Sequence, residues 1–239
     1  MASMESSVMR RRHITYLPSD HLRGARMLDR RGILLGGLIL AATRVPSASA
    51  GAISLDPTRW QIGPIIRGKS YSPGMPSHPT PLGSGWNFLF PPQDGVHYVT
   101  TPLSGSLMGR GEVKIRFSIG GPGRLVATQG DSPARIRLFL QRRGDNWSGA
   151  GEYEFYRWWS VNSVVLVTGA HELTAPLTTD QWFSVFGKRG DHPGAAGQFA
   201  AAISNLEAVG QTFGGMFAGH GIFAVEGAAR FTLKSFEIH

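Results

Sequence analysis

Apolar and polar residues alternate with a period of two at several places along the chain. Between Glu112 and Ile119 every second residue is apolar. Successive side chains of a β-strand point to opposite faces of a sheet, so this alternation predicts a strand with one buried face. The same pattern predicts a strand at 135–143, where one face carries Ile136, Leu138 and Leu140 and the other carries Arg135, Arg137, Phe139 and Gln141.

A third alternating run, at 152–160, is rich in aromatic residues. One face would carry Tyr153, Phe155, Arg157 and Trp159, and the other Glu152, Glu154, Tyr156 and Trp158. We expect Tyr153, Phe155 and Trp159 to join the core. Further strands are predicted at 96–101, 164–167, 182–186, 221–225 and 228–238. In the last of these the apolar positions change phase, which predicts a β-bulge near Lys234 or Ser235.

One stretch has the spacing of a helix. Apolar residues recur at intervals of three and four from Phe199 to Val209, and Gly210 follows as the expected helix end. Segment 57–102 holds nine of the 15 prolines, so we expect extended loops and short edge strands there. Many short strands with one short helix predict an all-β fold, an antiparallel two-sheet sandwich of the jelly-roll type.

The N-terminal run has the features of an export signal. Arg30 and Arg31 precede a modest apolar stretch that reaches Ala42, and residues 48–50 (ASA) are typical of a cleavage site. The paired arginines resemble the twin-arginine signal of bacteria, an address for proteins exported already folded. We therefore expect residues 1–50 to be a leader and signal peptide, with Met27 as an alternative start.

The same interpretation predicts a domain organisation and a compartment. Residues 51–239 are expected to form a single β-sandwich domain, periplasmic or extracellular in a bacterium. The apolar stretch of the leader is far shorter than the roughly 20 residues that a membrane-spanning helix needs. No stable membrane span is therefore expected after cleavage.

Charge and cysteine content exclude several classes of function. The chain carries 24 Lys and Arg against 16 Asp and Glu, a formal net charge of +8. The first 50 residues hold eight arginines and three acidic residues, so residues 51–239 carry only +3. Nucleic-acid binding needs a concentrated basic stripe and is not predicted. Cysteine is absent, which excludes disulfides, thiolate metal sites and a cysteine nucleophile.

Residues 63–70 match the phosphate-binding pattern GxxxxGK[ST], but their context argues against that function. The pattern binds phosphate only where a helix follows the loop, and Pro73 and Pro76 prevent such a helix. The histidines show no metal-ligand spacing, and no GxSxG nucleophile elbow is present. No metal or cofactor is predicted. His220, between two glycines, is a candidate pocket residue.

The best candidate for a binding site is the aromatic and charged cluster at 147–159, which contains three of the six tryptophans. If the strands at 112, 135 and 152 pair, Tyr156 and Trp158 share a face with Lys114, Arg116, Arg135 and Arg137. Pyranose rings pack their C–H faces on aromatic planes, and their hydroxyls bond to Arg and carboxylate groups. The predicted ligand-binding residues are Trp158, Tyr156, Trp147, Arg135, Arg137, Glu152, Glu154 and His220. Alternatively, the charges form only cross-strand ion pairs and the proline-rich segment covers Trp158.

A resemblance to a known class supports the carbohydrate hypothesis. The segments QTFGGMFAGHG at 211–221 and GAARFTLKSFEI at 227–238 resemble the closing strands of bacterial jelly-roll carbohydrate-binding modules, of the concanavalin-like or galactose-binding-like kind. The resemblance implies a β-sandwich whose partner is a glycan, bound in a concave cleft or at loop tips. The chain departs from many such modules because it lacks an acidic cluster for a structural calcium ion.

Two other functions stay open. Glu152 and Glu154 would lie about 7 Å apart on one strand face, and retaining glycosidases need carboxyls about 5 to 5.5 Å apart. The predicted spacing is wider, but concanavalin-like glycosidases place acidic residues at alternate positions on a cleft strand, and the run at 152–157 resembles this layout. The resemblance implies that Glu152 and Glu154 are the candidate catalytic pair of a glycosidase or lyase of concanavalin-like fold. A non-catalytic structural or assembly protein is the second alternative, and the sequence leaves the oligomeric state open.

Overall fold

The structure is a computed structural model, and it describes residues 51–129, 132–216 and 219–239. Its strands, in chain order, are β1 (Gly51–Ala52), β2 (Gln61–Gly63), β3 (Ile65–Ile66), β4 (Lys69–Ser70), β5 (Thr80–Leu82), β6 (Gly85–Leu89), β7 (Tyr98–Gly105), β8 (Glu112–Gly120), β9 (Arg124–Ala127), β10 (Arg135–Arg142), β11 (Arg157–Ser160), β12 (Val164–Val165), β13 (Gly169–Pro176), β14 (Trp182–Phe183), β15 (Leu206–Gly214), β16 (Ile222–Val225) and β17 (Arg230–Ile238). The described helices are α1 (Ala196–Ser204) and the short 3-10 helices Pro57–Arg59, Gly151–Phe155 and Thr179–Gln181.

Two antiparallel sheets form the sandwich. The six-stranded sheet has the order β13-β8-β17-β6-β5, with β1 beside β17. The seven-stranded sheet has the order β14-β11-β10-β15-β7-β2, with β12 beside β10. Two small pairs, β16 with β9 and β3 with β4, complete the described strands. The predicted fold class, an all-β two-sheet sandwich with one short α-helix, is confirmed.

The inward faces of the two sheets enclose a large apolar core. The predicted inward residues of β8 and β10 are all buried in it, as are Trp60 and Trp86, whose rings lie 5.0 Å apart. Burying one such large side chain stabilises the fold by ~1.5–3 kcal/mol. The predicted bulge is also confirmed, because the pairing of β17 with β8 shifts register between Leu233 and Ser235. The shift lets residues on both sides of it reach the core.

The helix is shorter than the sequence pattern predicts. Phe199, Ala202 and Ile203 are buried as expected, but α1 ends at Ser204 and residues 206–214 form β15. The predicted helix end at Gly210 is wrong. Val209 lies in the middle of β15 and pairs with Leu140 of β10. A short run of apolar residues does not distinguish a buried strand from a helical turn, so spacing alone extended the helix too far.

The predicted strand at 152–160 is only half correct. Gly151–Phe155 is a 3-10 helix, and strand β11 begins at Arg157. The strands at 112 and 135 also lie in different sheets, because β8 pairs with β13 and β17, whereas β10 pairs with β11, β12 and β15. The shared face predicted for Lys114, Arg116, Arg135 and Arg137 is therefore wrong.

The proline-rich segment contains short strands joined by turns, as expected. Within it, residues 65–70 form the β3–β4 hairpin, whose turn has Arg67 and Gly68 at φ 50° and 77°. Positive φ at both central residues is the geometry of a tight hairpin turn. Residues 71–79, which come directly after the hairpin and are all described, contain no helix, so the match to the phosphate-binding pattern does not have the structure that phosphate binding requires.

The predicted leader and signal peptide lie outside the described residues. Among the residues that are described, no helix combines the length and the apolar character needed to cross a membrane.

Candidate functional site

A groove of about 590 Å³ lies on the outward face of the seven-stranded sheet. Its floor comes from side chains that the strand register places side by side. Gln61 of β2 is paired with Thr100 of β7, and Ala208 of β15 is paired with Gln141 of β10 and with Pro102 of β7. Since Ala208 and Thr100 are small, the floor is low between its walls.

The groove is elongated. Across the sheet it spans the strands from β2 to β10, about 14 Å at the usual strand spacing of ~4.8 Å. Along β7 it is lined by four outward residues, Tyr98, Thr100, Pro102 and Ser104. These positions cover about 20 Å at ~3.3 Å per residue. The groove can therefore accommodate an extended ligand along a strand.

Trp147 lines one wall of the groove and is held in an unusual backbone conformation. Its φ of 64° falls in the left-handed region, which bulky residues rarely adopt. Two successive side-chain turns fix it there. Its N–H donates to Asp145 Oδ1 at 3.0 Å, and the N–H of Ser148 donates to Asn146 Oδ1 at 2.9 Å. The position of the indole is thus set by the backbone as well as by packing.

A buried ion pair supports this wall from below. The Nε atom of Arg157 lies 2.9 Å from Asp145 Oδ2, and both side chains are almost fully buried. The amide of Gln141 donates to the same oxygen at 3.0 Å. The guanidinium carbon of Arg157 lies 5.0 Å from the centre of the Trp147 ring, within the range of a cation–π contact. Both oxygens of Asp145 are thereby engaged within the protein.

Tyr98 contacts the edge of Trp147 from the groove floor. Their rings lie 5.7 Å apart at 82°, and Tyr98 also meets Phe139 edge-on at 5.0 Å. Burial raises the pKa of the Tyr98 hydroxyl, and the nearby charge of Arg157 partly opposes the shift. Tyr98 is therefore a neutral packing partner of the indole at physiological pH.

Exposed polar side chains line much of the rest of the groove, together with Pro64 and Ile65. On the β2 side, His78 accompanies Arg59 and Gln61. His78 Nδ1 lies 2.7 Å from the carbonyl oxygen of Trp60. A carbonyl can only accept, so we assign the proton to Nδ1, which leaves Nε2 to face a ligand.

The opposite wall carries Arg143, Ser104 and Glu207. Arg143 donates to Ser104 Oγ at 2.8 Å, and Glu207 accepts the N–H of Gly144 at 3.0 Å. These bonds fix the loop after β10, so the wall that holds Trp147 is anchored to β7 and β15. The groove as a whole places hydrogen-bond donors and acceptors around an aromatic ring.

A larger cleft of about 800 Å³ lies beside the edge of the six-stranded sheet. Prolines and buried aromatic residues make up much of its lining. Its polar lining includes Gln93 and Asp94 as well as Asn87 and Arg230, which bond to one another. Asn87 also donates to the carbonyl of Thr80 at 3.1 Å. Its aromatic residues Phe88 and Phe90 are buried, at 3% and 4% exposure, whereas Trp147 on the wall of the groove is only partly buried, so we take the groove as the candidate site.

Trp158, the predicted ring platform, lies in the interior, so that prediction is wrong. It has 0% exposure, and its ring packs 5.1 Å from that of Phe199 on α1. Its indole N–H donates to the carbonyl of Phe155 at 2.8 Å. The 3-10 helix shifts the phase of the alternation, and this shift turns Trp158 inward. Tyr156 is half-buried beneath the guanidinium of Arg142, 4.5 Å away, and does not line the groove.

Glu152 and Glu154 do not share a strand face, which corrects the prediction of a carboxylate pair. Both belong to the 3-10 helix, where residues two apart point in directions about 120° apart. Glu154 is buried, bonded to Ser184 Oγ at 3.3 Å and to Lys188 Nζ at 3.0 Å. Glu152 is exposed and lies 3.5 Å from the hydroxyl of Tyr156. Neither carboxylate lines the groove.

Arg135 and Arg137 lie on the outward face of β10, as predicted, but away from the groove lining. Arg137 donates to the carbonyls of Ser160 and Val161 at 2.8 and 2.5 Å, and Arg135 donates to Ser163 Oγ at 3.1 Å. These bonds connect strand β10 to the end of β11 and to the segment that follows it, and they occupy the guanidinium groups.

His220 is exposed and lies in a different place from the groove. Its carbonyl accepts the hydroxyl of Thr128. Partial burial lowers the pKa of its imidazole, and the same cause lowers the pKa of neighbouring His97. The structure therefore separates His220 from Trp147 rather than bringing them together.

Of the predicted residues, Trp147 is the one that lines the groove. Tyr98, Gln141 and Asp145, which surround it, were not predicted. A local signal for the turn was present, since Asp145 and Asn146 directly precede Trp147 and such residues favour side-chain turns. The role of Tyr98 has no local signal, because its strand is 40 or more residues from Trp147 in sequence.

Within the described part of the chain, no three His, Cys, Asp or Glu side chains are grouped so that they could hold a metal ion.

Comparisons with known proteins give little further information. No protein-family model and no curated protein matches the chain. Among solved structures, a "xylan-binding module CBM15" aligns with 77% of this chain and 95% of its own length, at 16% identity and a TM-score of 0.39. A likeness at this level does not specify a ligand, so the function must be inferred from the groove itself.

Proposed function

We propose that this protein is an exported carbohydrate-binding protein that binds a glycan in the groove on the outward face of the seven-stranded sheet. Trp147 is the stacking platform, and Gln61, His78, Arg143 and Glu207 are the polar contacts. Residues 1–50 act as the export leader, so the protein binds its ligand outside the cytoplasm.

The observation that carries this proposal is the fixed position of Trp147 among hydrogen-bonding side chains. The apolar face of a sugar ring packs on an aromatic plane, while the hydroxyls at its rim need donors and acceptors. The groove supplies both, with an indole on one wall and amide, imidazole, guanidinium and carboxylate groups around it. A platform that is rigid before binding loses little conformational entropy when the ligand arrives.

The ion pair of Arg157 with Asp145 has a role in this scheme. It lies behind the indole and is almost fully buried, so it acts on the ligand only through Trp147. Asp145 also holds the backbone of Trp147 by accepting its N–H. The pair is therefore a positioning element of the site.

A glycan array followed by calorimetry on the polysaccharide bound most tightly tests the proposal. Trp147→Ala should weaken binding about tenfold or more, because central aromatic anchors carry much of the energy of a binding site. The matched control is Phe186→Ala, which removes another aromatic side chain, one that is 65% exposed and outside the groove lining. Absence of binding by the wild type, or equal binding by the Trp147 variant, would overturn the proposal.

A further inference from the structure

Charged groups in the groove differ in how much of their bonding capacity is already used. Asp145 has both oxygens engaged, by the N–H of Trp147 and by Gln141 and Arg157. Glu207 already accepts the N–H of Gly144. Asp145 is thus committed to the protein, whereas Glu207 keeps its second oxygen for a ligand.

The two arginines of the groove, in contrast to Asp145, keep most of their bonding capacity. Arg59 and Arg143 lie on opposite walls, and both are exposed. In the described part of the chain, neither guanidinium has a carboxylate oxygen within 4 Å. Arg143 uses one donor on Ser104. A guanidinium has five N–H donors, so most of this capacity is free.

The charges of the groove are also unbalanced. Arg157 neutralises Asp145 within the wall, which leaves Arg59 and Arg143 against Glu207 alone. The groove therefore has an excess of positive charge and of free donors. Guanidinium groups bind carboxylate and sulfate groups through paired N–H···O bonds that are stronger than bonds to neutral hydroxyls.

We infer that the groove selects an anionic polysaccharide, whose carboxylate or sulfate groups pair with Arg59 and Arg143 while a sugar ring packs on Trp147. This inference rests on the proposed function and names the class of glycan that the site takes. The two arginines lie on opposite sides of the floor, so they bind anionic groups at more than one position along the polysaccharide.

The test uses polysaccharides that share a backbone and differ in charge. Homogalacturonan is measured with its carboxyls methyl-esterified and after de-esterification, and dextran is compared with dextran sulfate. Binding to these polysaccharides and to a glycan array is measured at 0.01 M and at 0.15 M salt. The Debye length falls from about 30 Å to about 8 Å between these two salt concentrations. The charged member of a pair should bind more tightly, and the higher salt should weaken that binding. Preference within the first pair identifies carboxylate, and preference within the second identifies sulfate.

Charge-neutralising variants assign the effect to the groove. Arg59→Gln and Arg143→Gln should each weaken binding of the charged polymer by about two- to fivefold, the range for exposed ion pairs. The matched control, Lys234→Gln, removes one exposed positive charge from the six-stranded sheet and should leave binding unchanged.

The outcomes separate this inference from the proposed function. Tight, salt-insensitive binding of a neutral glycan that still depends on Trp147 would overturn the anionic specificity and leave carbohydrate binding in place. An equal effect of Lys234→Gln would show that net charge, rather than the groove, attracts the polymer, and would also overturn it. Binding of no glycan at all would overturn both.

Discussion

The outward face of the six-stranded sheet and that of the seven-stranded sheet use their side chains in different ways. On the six-stranded sheet, Glu172 lies 2.9 Å from Lys114 and 3.0 Å from Arg116, and Arg116 lies 3.5 Å from Glu237. These exposed ion pairs connect three neighbouring strands. The charges of these four side chains are matched within the sheet, so they are committed to one another.

The outward face of the seven-stranded sheet is largely covered. Tyr98, Phe139, Trp159 and Phe183 form a second apolar cluster there, separate from the main core, and Trp147 packs against it. The cover comes from loops, and beside it the groove stays open. The alternation of apolar and polar residues therefore identifies which side chains face outward. The loops that cross an outward face decide whether it can hold a binding site.

The largest effect is expected from the tryptophan that faces inward. Trp158→Ala should lower the free energy of unfolding by about 3–5 kcal/mol, because it empties a large volume between β11 and α1. Urea denaturation measures this loss. The exposed Phe186→Ala should change stability by no more than ~0.5 kcal/mol. If Trp158→Ala instead kept full stability and lost glycan binding, Trp158 would belong to the outward face after all.

An effect of intermediate size is expected when the buried ion pair on the outward side of the seven-stranded sheet is removed. Asp145→Asn should lower the free energy of unfolding by about 2–3 kcal/mol, because the guanidinium of Arg157 stays buried without its counter-charge. Near-ultraviolet circular dichroism should change as well, since Trp147 loses a restraint. Asp191→Asn is the matched control, because Asp191 pairs with Arg189 at 3.6 Å while both remain half-exposed. Equal losses in the two variants would contradict the assignment of a buried ion pair to Asp145 and an exposed one to Asp191.

The smallest effect is expected on the ion-paired face and depends on pH. Hydrogen bonds from Lys114, and then from Arg116, lower the pKa of the Glu172 carboxyl. This stabilisation is complete above the ordinary pKa of glutamate, about 4.3, and is lost as pH falls through the lowered value. Glu172→Gln should thus melt slightly below the wild type at pH 7, and the two melting temperatures should converge at strongly acidic pH.

Thermal melts between pH 2 and pH 7 measure this difference, with high salt as a second comparison. Salt should shrink the difference at pH 7, because exposed pairs are screened. A difference that grew on acidification would contradict the assigned direction of the pKa shift.

The spacing of apolar residues was sufficient to predict the parts of the fold in which one strand follows a regular period of two. The alternation in β8 and β10 and the phase change at Leu233 each predicted their structure correctly, because a strand's pleat fixes which side chains share a face. The same reasoning failed at Glu152 and Trp158. There a 3-10 helix interrupts the run, and residues before and after it no longer follow one period.

The amino-acid sequence by itself determined the all-β class, the inward residues of the long strands and the bulge, since these follow from spacing along one segment. Tertiary structure alone decided where the groove that we propose as the binding site lies. The groove joins Gln61, Tyr98, Gln141 and Trp147 from distant segments. Pairing between β2, β7, β15 and β10 brings them together, and the spacing of residues along any one strand does not specify which strand becomes its neighbour.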